Sequence, residues 1–342
     1  MMRILITRLS AIGDAILTMP LACALKSQSR DNEVVWLAEK GPAKLLHDHP
    51  CVDEVVEVGK GWLKSPATIM NLRRRLRRRF DVAIDPQSLL KSSTAGLIAG
   101  APLRIGFAPP RGRETAPWVN HINVRYKKTH LVDCQLELLH PLGIQPPCAE
   151  FQVPRTDECV TKMDHWLGRS PELSGGNFVL LNTGAGWGSK LWPVERYAAL
   201  AHDLYQKYGL PSVVVWAGEQ ERQWAESIVV AQPKCCHLAP PTSLLELAEL
   251  FRHGRFFVGS DTGPLHLAAA VGLPCVGLHG PTDPAKSGAY GSQHQSVQAY
   301  LQTGSSRERR GNNNHAMRAI DVQAVSEACG VLMKSSLANI AA

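Results

Sequence analysis

The segment Arg255–Pro284, RFFVGSDTGPLHLAAAVGLPCVGLHGPTDP, carries the strongest fold signal in the chain, because it predicts a strand, a polar turn, a helix and a second strand in succession. The apolar run 256–258 favours the first strand, predicted at 255–258. A helical pattern at 264–271 ends at Gly272, and the apolar run 275–278 favours the next strand. Such a turn places free backbone N–H groups and the positive end of a helix at the carboxyl end of a strand, where open α/β sheets bind anionic ligands.

Three side chains of this turn are candidates for ligand contact. Asp261 and Thr262 follow the strand directly. His266 comes one helical turn after Thr262, so both side chains can face one ligand. We therefore expect an anion-binding edge formed by these residues.

Strand and helix patterns alternate along the whole chain. This βαβ repetition predicts mostly parallel sheets, and a linker near 168–177 divides it. The predicted fold class is α/β with two Rossmann-like domains facing a cleft, 1–170 and 171–342, with the last helix packing back on the first domain. Residues 108–129 are expected to form a long functional loop and 303–316 a mobile loop. Predicted strands lie at 3–7, 34–37, 55–58, 82–85, 104–107, 178–181, 212–216, 255–258 and 275–278, and predicted helices at 14–27, 41–48, 66–79, 88–99, 131–142, 193–208, 219–231, 243–253, 264–271 and 321–334.

Composition narrows the class of protein. The 342 residues, 44% of them apolar, are enough for two hydrophobic cores. The chain has no run of 18 apolar residues, and its nine cysteines show no C-x-x-C spacing. We therefore predict no membrane span, no disulfide framework and no zinc site. Arg8, Gly13 and Asp14 interrupt the first apolar stretch, which argues against a cleaved signal. The odd number of cysteines, without paired spacing, favours a reduced, cytosolic compartment.

The net charge of +7 is concentrated in residues 73–79, which hold six arginines. Apolar residues recur beside them at helical spacing, so the arginines are expected on the outer face of a helix. Three interpretations remain open: a solvated helix face, a contact with anionic lipid or glycolipid, and nucleic-acid binding. The chain lacks a zinc-finger or RRM motif, so nucleic acid is the least favoured partner.

Asp14 follows the first predicted strand in the segment LSAIGD, residues 9–14. Gly13 permits a tight turn there. One interpretation is a helix N-terminal acid that contributes about 1 kcal/mol of stability. The other is a carboxylate exposed at the carboxyl edge of the strand, where it acts as a general base.

Lys190 and Glu219 follow strands of the second half. Lys190 lies beside the Gly-rich segment NTGAGWGSK, residues 182–190, and a lysine there is either a phosphate partner or a solvated surface residue. Glu219 is either a helix N-terminal glutamate or an acceptor of ribose hydroxyl groups. The G-x-G-x-x-G fingerprint of a dinucleotide-dependent dehydrogenase is absent.

Six segments together resemble the bacterial lipopolysaccharide heptosyltransferases. They are LITRLSAIGDAILTMPLACALK at 5–26, DPQSLLKSS at 85–93, RGRE at 111–114, NTGAGWGSKLWPVERY at 182–197, WAGEQER at 216–222 and SDTGPLHLAAAVGLPCVGLHGPTDP at 260–284. The second and third resemble the heptosyltransferase I branch. The resemblance implies the GT-B arrangement, an inverting transfer from ADP-heptose, and an acceptor that is Kdo-containing lipid A or inner core. It also implies a cytoplasmic enzyme in peripheral contact with the inner membrane.

Site residues carry over by motif. Asp14 matches the catalytic base of the family, and Lys190 matches the lysine that contacts the donor diphosphate. No metal ion is expected, because no acidic D-x-D cluster is visible in the sequence. A lysine and helix N-termini can supply the positive charge that a metal ion would otherwise provide. The donor-side positions are Thr183, Gly184, Lys190, Glu219, Asp261, Thr262, Gly263 and His266, and the acceptor-side positions are Lys64, Gln87, Lys91 and Arg113.

Two other functions fit the same motifs. One is a related glycosyltransferase that uses another nucleotide sugar, and nucleotide preference distinguishes it. The other is a non-catalytic nucleotide-binding protein of the same fold, which a turnover assay distinguishes.

Overall fold

Two six-stranded parallel sheets organise the chain, one in each of the units Met1–Pro154 and Arg155–Ala342. The computed structural model describes residues 1–145 and 148–340. The predicted fold class, α/β with two Rossmann-like domains, is confirmed. The division lies at 154/155, whereas the sequence placed it at 170/171.

The first sheet has the strand order β3-β2-β1-β4-β5-β6, with every pair parallel. Its central strands β1, β2 and β4 are mostly apolar and buried, as expected where helices cover both faces of a parallel sheet. Helix α4 packs on α5, and α5 packs on α6, so these three form one layer. The strands are β1 Arg3–Thr7, β2 Glu33–Glu39, β3 Glu54–Val58, β4 Val82–Asp85, β5 Leu103–Phe107 and β6 Ile122–Val124, and the helices are α1 Ile12–Ile16, α2 Met19–Gln28, α3 Lys40–Leu46, α4 Pro66–Leu76, α5 Leu90–Ala99, α6 Ala116–Val119 and α7 Leu131–Leu136.

The second sheet has the order β12-β11-β10-β7-β8-β9, again all parallel. The connections that leave β7 and β10 therefore begin at the same edge of the sheet, where the carboxyl ends of these strands lie. The strands are β7 Val179–Asn182, β8 Ser212–Val215, β9 Cys236–Leu238, β10 Phe256–Ser260, β11 Cys275–Leu278 and β12 Gln295–Val297, and the helices are α8 Asp157–Leu167, α9 Val194–Tyr208, α10 Gly218–Ala231, α11 Leu244–His253, α12 Gly263–Ala270, α13 Pro284–Ser287, α14 Ser306–Arg309, α15 His315–Arg318 and α16 Val322–Ile340.

Helix α8 belongs to the second unit because it packs on α11. Arg155, just before α8, forms a bidentate ion pair with the fully buried Glu249 at 2.8 and 3.0 Å. Lys162 pairs with Glu246 at 2.6 Å. These contacts explain why the division precedes residues 157–167.

Helix α16 also packs within the second unit. Val325, Cys329 and Leu332 are buried in the core that α9 and β11 share. The described apolar side chains of this helix therefore pack within the second unit, whereas the sequence predicted that the helix packs on the first domain.

Three observed strands lie outside the predicted set: β6, β9 and β12. Each has three residues and lies at an edge of its sheet. An edge strand buries less surface than an inner one, so its sequence shows no continuous apolar run. The expected loop 108–129 thus contains β6, and the expected mobile loop 303–316 contains α14.

The predicted helix 14–27 is divided into α1 and α2. Pro20 lies at the start of α2, where its missing N–H costs no helical hydrogen bond. Thr18 Oγ1 donates to the carbonyl of Asp14 at 2.7 Å at the junction. No helix among the described residues is both long and apolar enough to cross a membrane.

Candidate functional site

Asp14 lies in the short helix α1, which follows β1. Its Oδ1 atom is 2.8 Å from Arg8 Nη2, and its Oδ2 atom accepts the backbone N–H of Ala11 at 3.2 Å. The Arg8 side chain is 10% exposed, while that of Asp14 is 42% exposed. A buried guanidinium thus orients a carboxylate that remains open to a ligand.

Polar side chains from neighbouring connections contact the segment that precedes Asp14. Gln87 Oε1 accepts the backbone N–H of Leu9 at 2.9 Å. Lys91 Nζ donates to Ser10 Oγ at 3.0 Å and pairs with Glu39 at 2.9 Å. The structure therefore brings Gln87 and Lys91 to the segment that precedes Asp14. We call Arg8, Asp14, Gln87 and Lys91 the Asp14 cluster.

The other two acceptor-side candidates are less closely tied to this cluster. The backbone N–H of Arg113 donates to the carbonyl of Ser88 at 3.0 Å, which holds its loop beside Gln87, and its side chain is exposed. Lys64 ends a short 3₁₀ helix after β3, and its side chain is exposed.

Arg8, Glu39 and Asp85 are polar residues of this edge that the sequence analysis missed. Arg8 also donates from Nη1 to the carbonyl of Pro86 at 3.2 Å. Asp85, the last residue of β4, is 3% exposed and accepts the backbone N–H of Ser88 at 2.8 Å. The signal for all three was a polar residue at or just after a predicted strand, as at Asp14.

Asp85 provides a prediction about pH and stability. Burial raises the pKa of Asp85 to about 7, against the hydrogen bonds of Ser92 and Ser88 and the charge of Arg8. An unfolded aspartate has a pKa of about 3.9, so folding favours the protonated carboxyl group. The free energy that the protonated Asp85 carboxyl group contributes to folding is present in full below pH ~4, and it is lost as the pH rises through about 7.

We expect Asp85→Asn to remove that loss, because the amide stays neutral. Thermal unfolding of the wild type and the variant between pH 4 and 8 measures the effect. The melting temperature of the variant should fall less than that of the wild type across this range. Asp48→Asn, a change at an exposed carboxylate, is the control. Parallel pH profiles for Asp85→Asn and the wild type would contradict the prediction.

In the second unit, the partly buried Lys190 and the buried Asp261 and His266 form a cluster, which we call the Asp261 cluster. Lys190 Nζ lies 3.0 Å from Asp261 Oδ2 and donates to the carbonyl of Asp261 at 2.6 Å. His266 Nε2 lies 3.2 Å from Asp261 Oδ1. The pairing of β7 with β10 brings these groups together, because Asn182 lies opposite Gly259 and both connections leave the same edge.

Asp261 is 4% exposed, and burial acts to raise the pKa of its carboxyl group. The hydrogen bond and charge of His266 and the charge of Lys190 outweigh burial, so the pKa lies well below its usual range. Burial lowers the pKa of the neighbouring His279 to about 4, so this imidazole is neutral at pH 7. The cluster is therefore a fixed carboxylate held by cationic and imidazole groups.

Thr262 is the N-cap of α12, and its Oγ1 donates to the carbonyl of Ser260 at 3.2 Å. Gly263 begins the helix. The backbone N–H groups of its first turn have no helical partner, and they present partial positive charge beside Asp261. His266 accordingly lies one turn into the helix, as predicted.

The loop after β7 begins with Thr183, which is buried and whose Oγ1 has no hydrogen-bond partner in the part of the chain that the structure describes. Gly184 passes so close to Glu221 that a Cβ atom on it would lie 2.1 Å from that carboxylate. Glu219 is exposed at the start of α10 and accepts from Gln223 Nε2 at 3.4 Å. Glu221 was missed, although it lies in the segment WAGEQER that the sequence analysis singled out.

Among the described residues, no group of three or more His, Cys, Asp and Glu side chains is arranged to hold a metal ion.

Known proteins are similar to this chain in amino-acid sequence. A family model described as glycosyltransferase family 9 (heptosyltransferase) matches residues 69–317. Lipopolysaccharide heptosyltransferase 1 of Salmonella typhimurium is 28% identical over 303 residues, which cover 85% of this chain and 92% of that protein. The protein of the same name from Escherichia coli K12 is 26% identical over 309 residues, which cover 87% of this chain and 94% of that one.

Solved structures share the fold. E. coli heptosyltransferase WaaC with ADP superposes with a TM-score of 0.78 at 23% identity, over 97% of this chain and all of that one. A family 9 glycosyltransferase from Veillonella parvula superposes with a TM-score of 0.83 at 21% identity, over 98% of each chain.

Proposed function

Because the chain belongs to glycosyltransferase family 9, the heptosyltransferase family, we propose that it moves heptose from ADP-heptose to a Kdo-containing lipid A or inner-core acceptor. The resemblance stated from its motifs is confirmed, and the chain is a glycosyltransferase. Two observations support the finer proposal. The relatives it matches are named lipopolysaccharide heptosyltransferases. The solved WaaC structures are described with ADP and with ADP-2-deoxy-2-fluoro heptose.

The observation that carries the proposal is the ion pair of Lys190 with Asp261 at a helix N-terminus. Lysine and free backbone N–H groups at one sheet edge are what a diphosphate requires. We assign the loop at 183–190, which begins with Thr183 and Gly184, to the donor phosphates and call it the phosphate-side loop. Glu219 is assigned to accept hydrogen bonds from the ribose hydroxyl groups of the same donor. The acceptor is assigned to the first unit, with Gln87 and Lys91 beside Asp14, and with Arg113 and Lys64 further out.

The proposed reaction is a direct displacement. The Asp14 carboxylate takes the proton of an acceptor hydroxyl, and that oxygen attacks the anomeric carbon of the donor. The bond from this carbon to the diphosphate oxygen breaks, ADP leaves, and the configuration inverts. Lys190 and the backbone N–H groups of Thr262 and Gly263 stabilise the charge that develops on the diphosphate, which is often the largest catalytic contribution.

This step is proposed to be independent of metal ions, because lysine and helix N–H groups supply the positive charge. Turnover in the presence of excess EDTA tests this, and activity restored only by a divalent cation would contradict it.

We also propose that the enzyme acts at the cytoplasmic face of the inner membrane, in peripheral contact with anionic lipid. The α4–α6 face, formed by the outer residues of α4, α5 and α6, supports this. Arg75 and Arg79 of the basic run pair with Glu54 at 2.8 and 2.7 Å. Arg73, Arg74 and Arg77 are exposed and have no carboxylate partner among the described residues.

Apolar side chains in the same layer are also exposed, namely Trp118 at 85%, Met70 at 51%, Leu97 at 50% and Leu90 at 43%.

We expect Trp118→Ser to weaken binding to vesicles that contain phosphatidylglycerol by roughly tenfold, because the exposed indole contributes apolar area to the bilayer interface. Co-sedimentation measures the bound fraction. Tyr300→Ser, a change at an exposed aromatic residue of the second unit, should bind as the wild type does. Equal binding of Trp118→Ser and the wild type would contradict the use of this face. Equal binding of the wild type to neutral vesicles and to vesicles that contain phosphatidylglycerol would also contradict it.

Nucleotide selectivity tests the donor. Thermal unfolding with ADP, UDP, GDP and NAD at equal concentrations should show stabilisation by ADP, since a ligand at 100 times its Kd adds about 2.7 kcal/mol. Transfer from ADP-heptose to a Kdo-lipid acceptor then tests the reaction. Stabilisation by UDP or GDP instead would favour another nucleotide sugar. ADP binding without turnover would favour a non-catalytic protein of this fold.

A further inference from the structure

The segment 303–314 lies against the loop that carries Lys190. The backbone N–H of Ser189 donates to the carbonyl of Gly311 at 2.8 Å, and Ser189 Oγ donates to the carbonyl of Arg309. Asn314 Nδ2 donates to the carbonyl of Leu191 at 2.9 Å. These contacts hold the segment beside the phosphate-side loop on both sides of Lys190.

Trp187 connects this segment to the Asp261 cluster. Lys190 Nζ lies 4.6 Å from the centroid of the Trp187 ring, and the guanidinium carbon of Arg310 lies 5.2 Å from it. Both distances are in the range of cation–π contacts. One indole ring therefore holds two cations, of which Lys190 is the one assigned to the donor diphosphate.

The two cations differ in how their charge is balanced. Lys190 is paired with the buried Asp261, so much of its charge is already compensated. Arg310 is exposed and has no carboxylate partner among the described residues. Glu308, the nearest acid along the chain, instead accepts the backbone N–H of Ser305 at 2.7 Å. Arg310 thus adds uncompensated positive charge at the edge of the phosphate-side loop.

We propose that Arg310 is a donor-binding residue that pairs with the diphosphate of the nucleotide sugar next to Lys190. A guanidinium offers paired N–H donors that match phosphate oxygens, and stacking on Trp187 holds its plane in place. The segment 303–314 thereby supplies a second cation to a site whose first cation is shared with Asp261. This inference rests on the proposed function, because it takes a nucleoside diphosphate as the ligand.

The test compares Arg310→Gln with Arg307→Gln, a matched change at an exposed arginine of α14 that has no partner among the described residues. We expect Arg310→Gln to raise the Kd for ADP and the KM for the ADP-sugar about tenfold. Arg307→Gln should leave both unchanged. Arg310→Lys should bind ADP more tightly than Arg310→Gln and less tightly than the wild type, because lysine keeps the charge but lacks the paired N–H donors of a guanidinium.

A merely structural role is distinguished by a ligand without phosphates. Adenosine should bind Arg310→Gln and the wild type equally, because it has no diphosphate. Equal weakening of adenosine and ADP, or unchanged ADP affinity in Arg310→Gln while the wild type binds ADP, would overturn the inference. Failure of the wild type itself to bind ADP would count against the proposed function instead.

Discussion

Asp14→Asn is expected to lower kcat by about 10²–10⁴-fold, the range that general base assistance contributes. The amide keeps the size of the side chain and can still accept the N–H of Ala11, but it takes no proton from an acceptor hydroxyl. The donor is assigned to the second unit, so the Kd for ADP should stay that of the wild type. Steady-state kinetics with saturating acceptor, together with ADP titration, measure the two quantities separately.

Asp48→Asn, a change at an exposed carboxylate of the same unit, is the matched control and should keep full activity. Unfolding of Asp14→Asn must also be followed, since the change weakens the ion pair with Arg8. Unchanged kcat in a folded Asp14→Asn variant would remove Asp14 from the mechanism. A fall in ADP affinity that matches the fall in kcat would assign Asp14 to binding rather than to proton transfer.

The inner strands were predictable because burial on both faces requires an apolar side chain at nearly every position. Residues 256–258 and 275–278 are of this kind. The polar residues that follow such strands were predictable as a group, because parallel strands bring their carboxyl ends to one edge. Parallel pairing thus predicts Asp261 and the loop that carries Lys190 at one edge of the sheet, whereas the ion pair between these two residues, 71 apart in sequence, was not predicted.

The partners of these residues were not predictable from local pattern. Arg8 binds Asp14, and Glu221 approaches Gly184, through packing that no periodicity describes. Arg310 reaches Trp187 from a segment whose polar composition is typical of a mobile loop. Hydrogen bonds from Ser189 and Asn314 hold that segment, and they depend on contacts more than 100 residues apart in sequence.

Lys190→Gln is expected to lower kcat by about 10²–10³-fold and to weaken ADP binding, because the neutral amide no longer balances charge on the diphosphate. It should also destabilise the fold. Asp261 is 4% exposed and, among the described residues, would keep only His266 as a charged or imidazole partner within salt-bridge distance. Removing one partner of a buried ion pair typically costs about 3–5 kcal/mol. Kinetics, ADP titration and denaturant unfolding measure the three effects, with Lys234→Gln as the control at an exposed lysine.

The double variant Lys190→Gln with Asp261→Asn separates the two roles of the lysine. Replacing Asp261 by a neutral amide removes the unbalanced buried charge, so part of the lost stability should return. ADP affinity and kcat should stay low, because neither substitution restores a cation for the diphosphate. Recovery of activity together with stability would mean that Lys190 acts only by balancing Asp261, and the proposed contact with the donor would then be wrong. A double variant that regains part of the stability but keeps a low kcat and weak ADP binding is the expected result, since the same ammonium group is assigned to both partners.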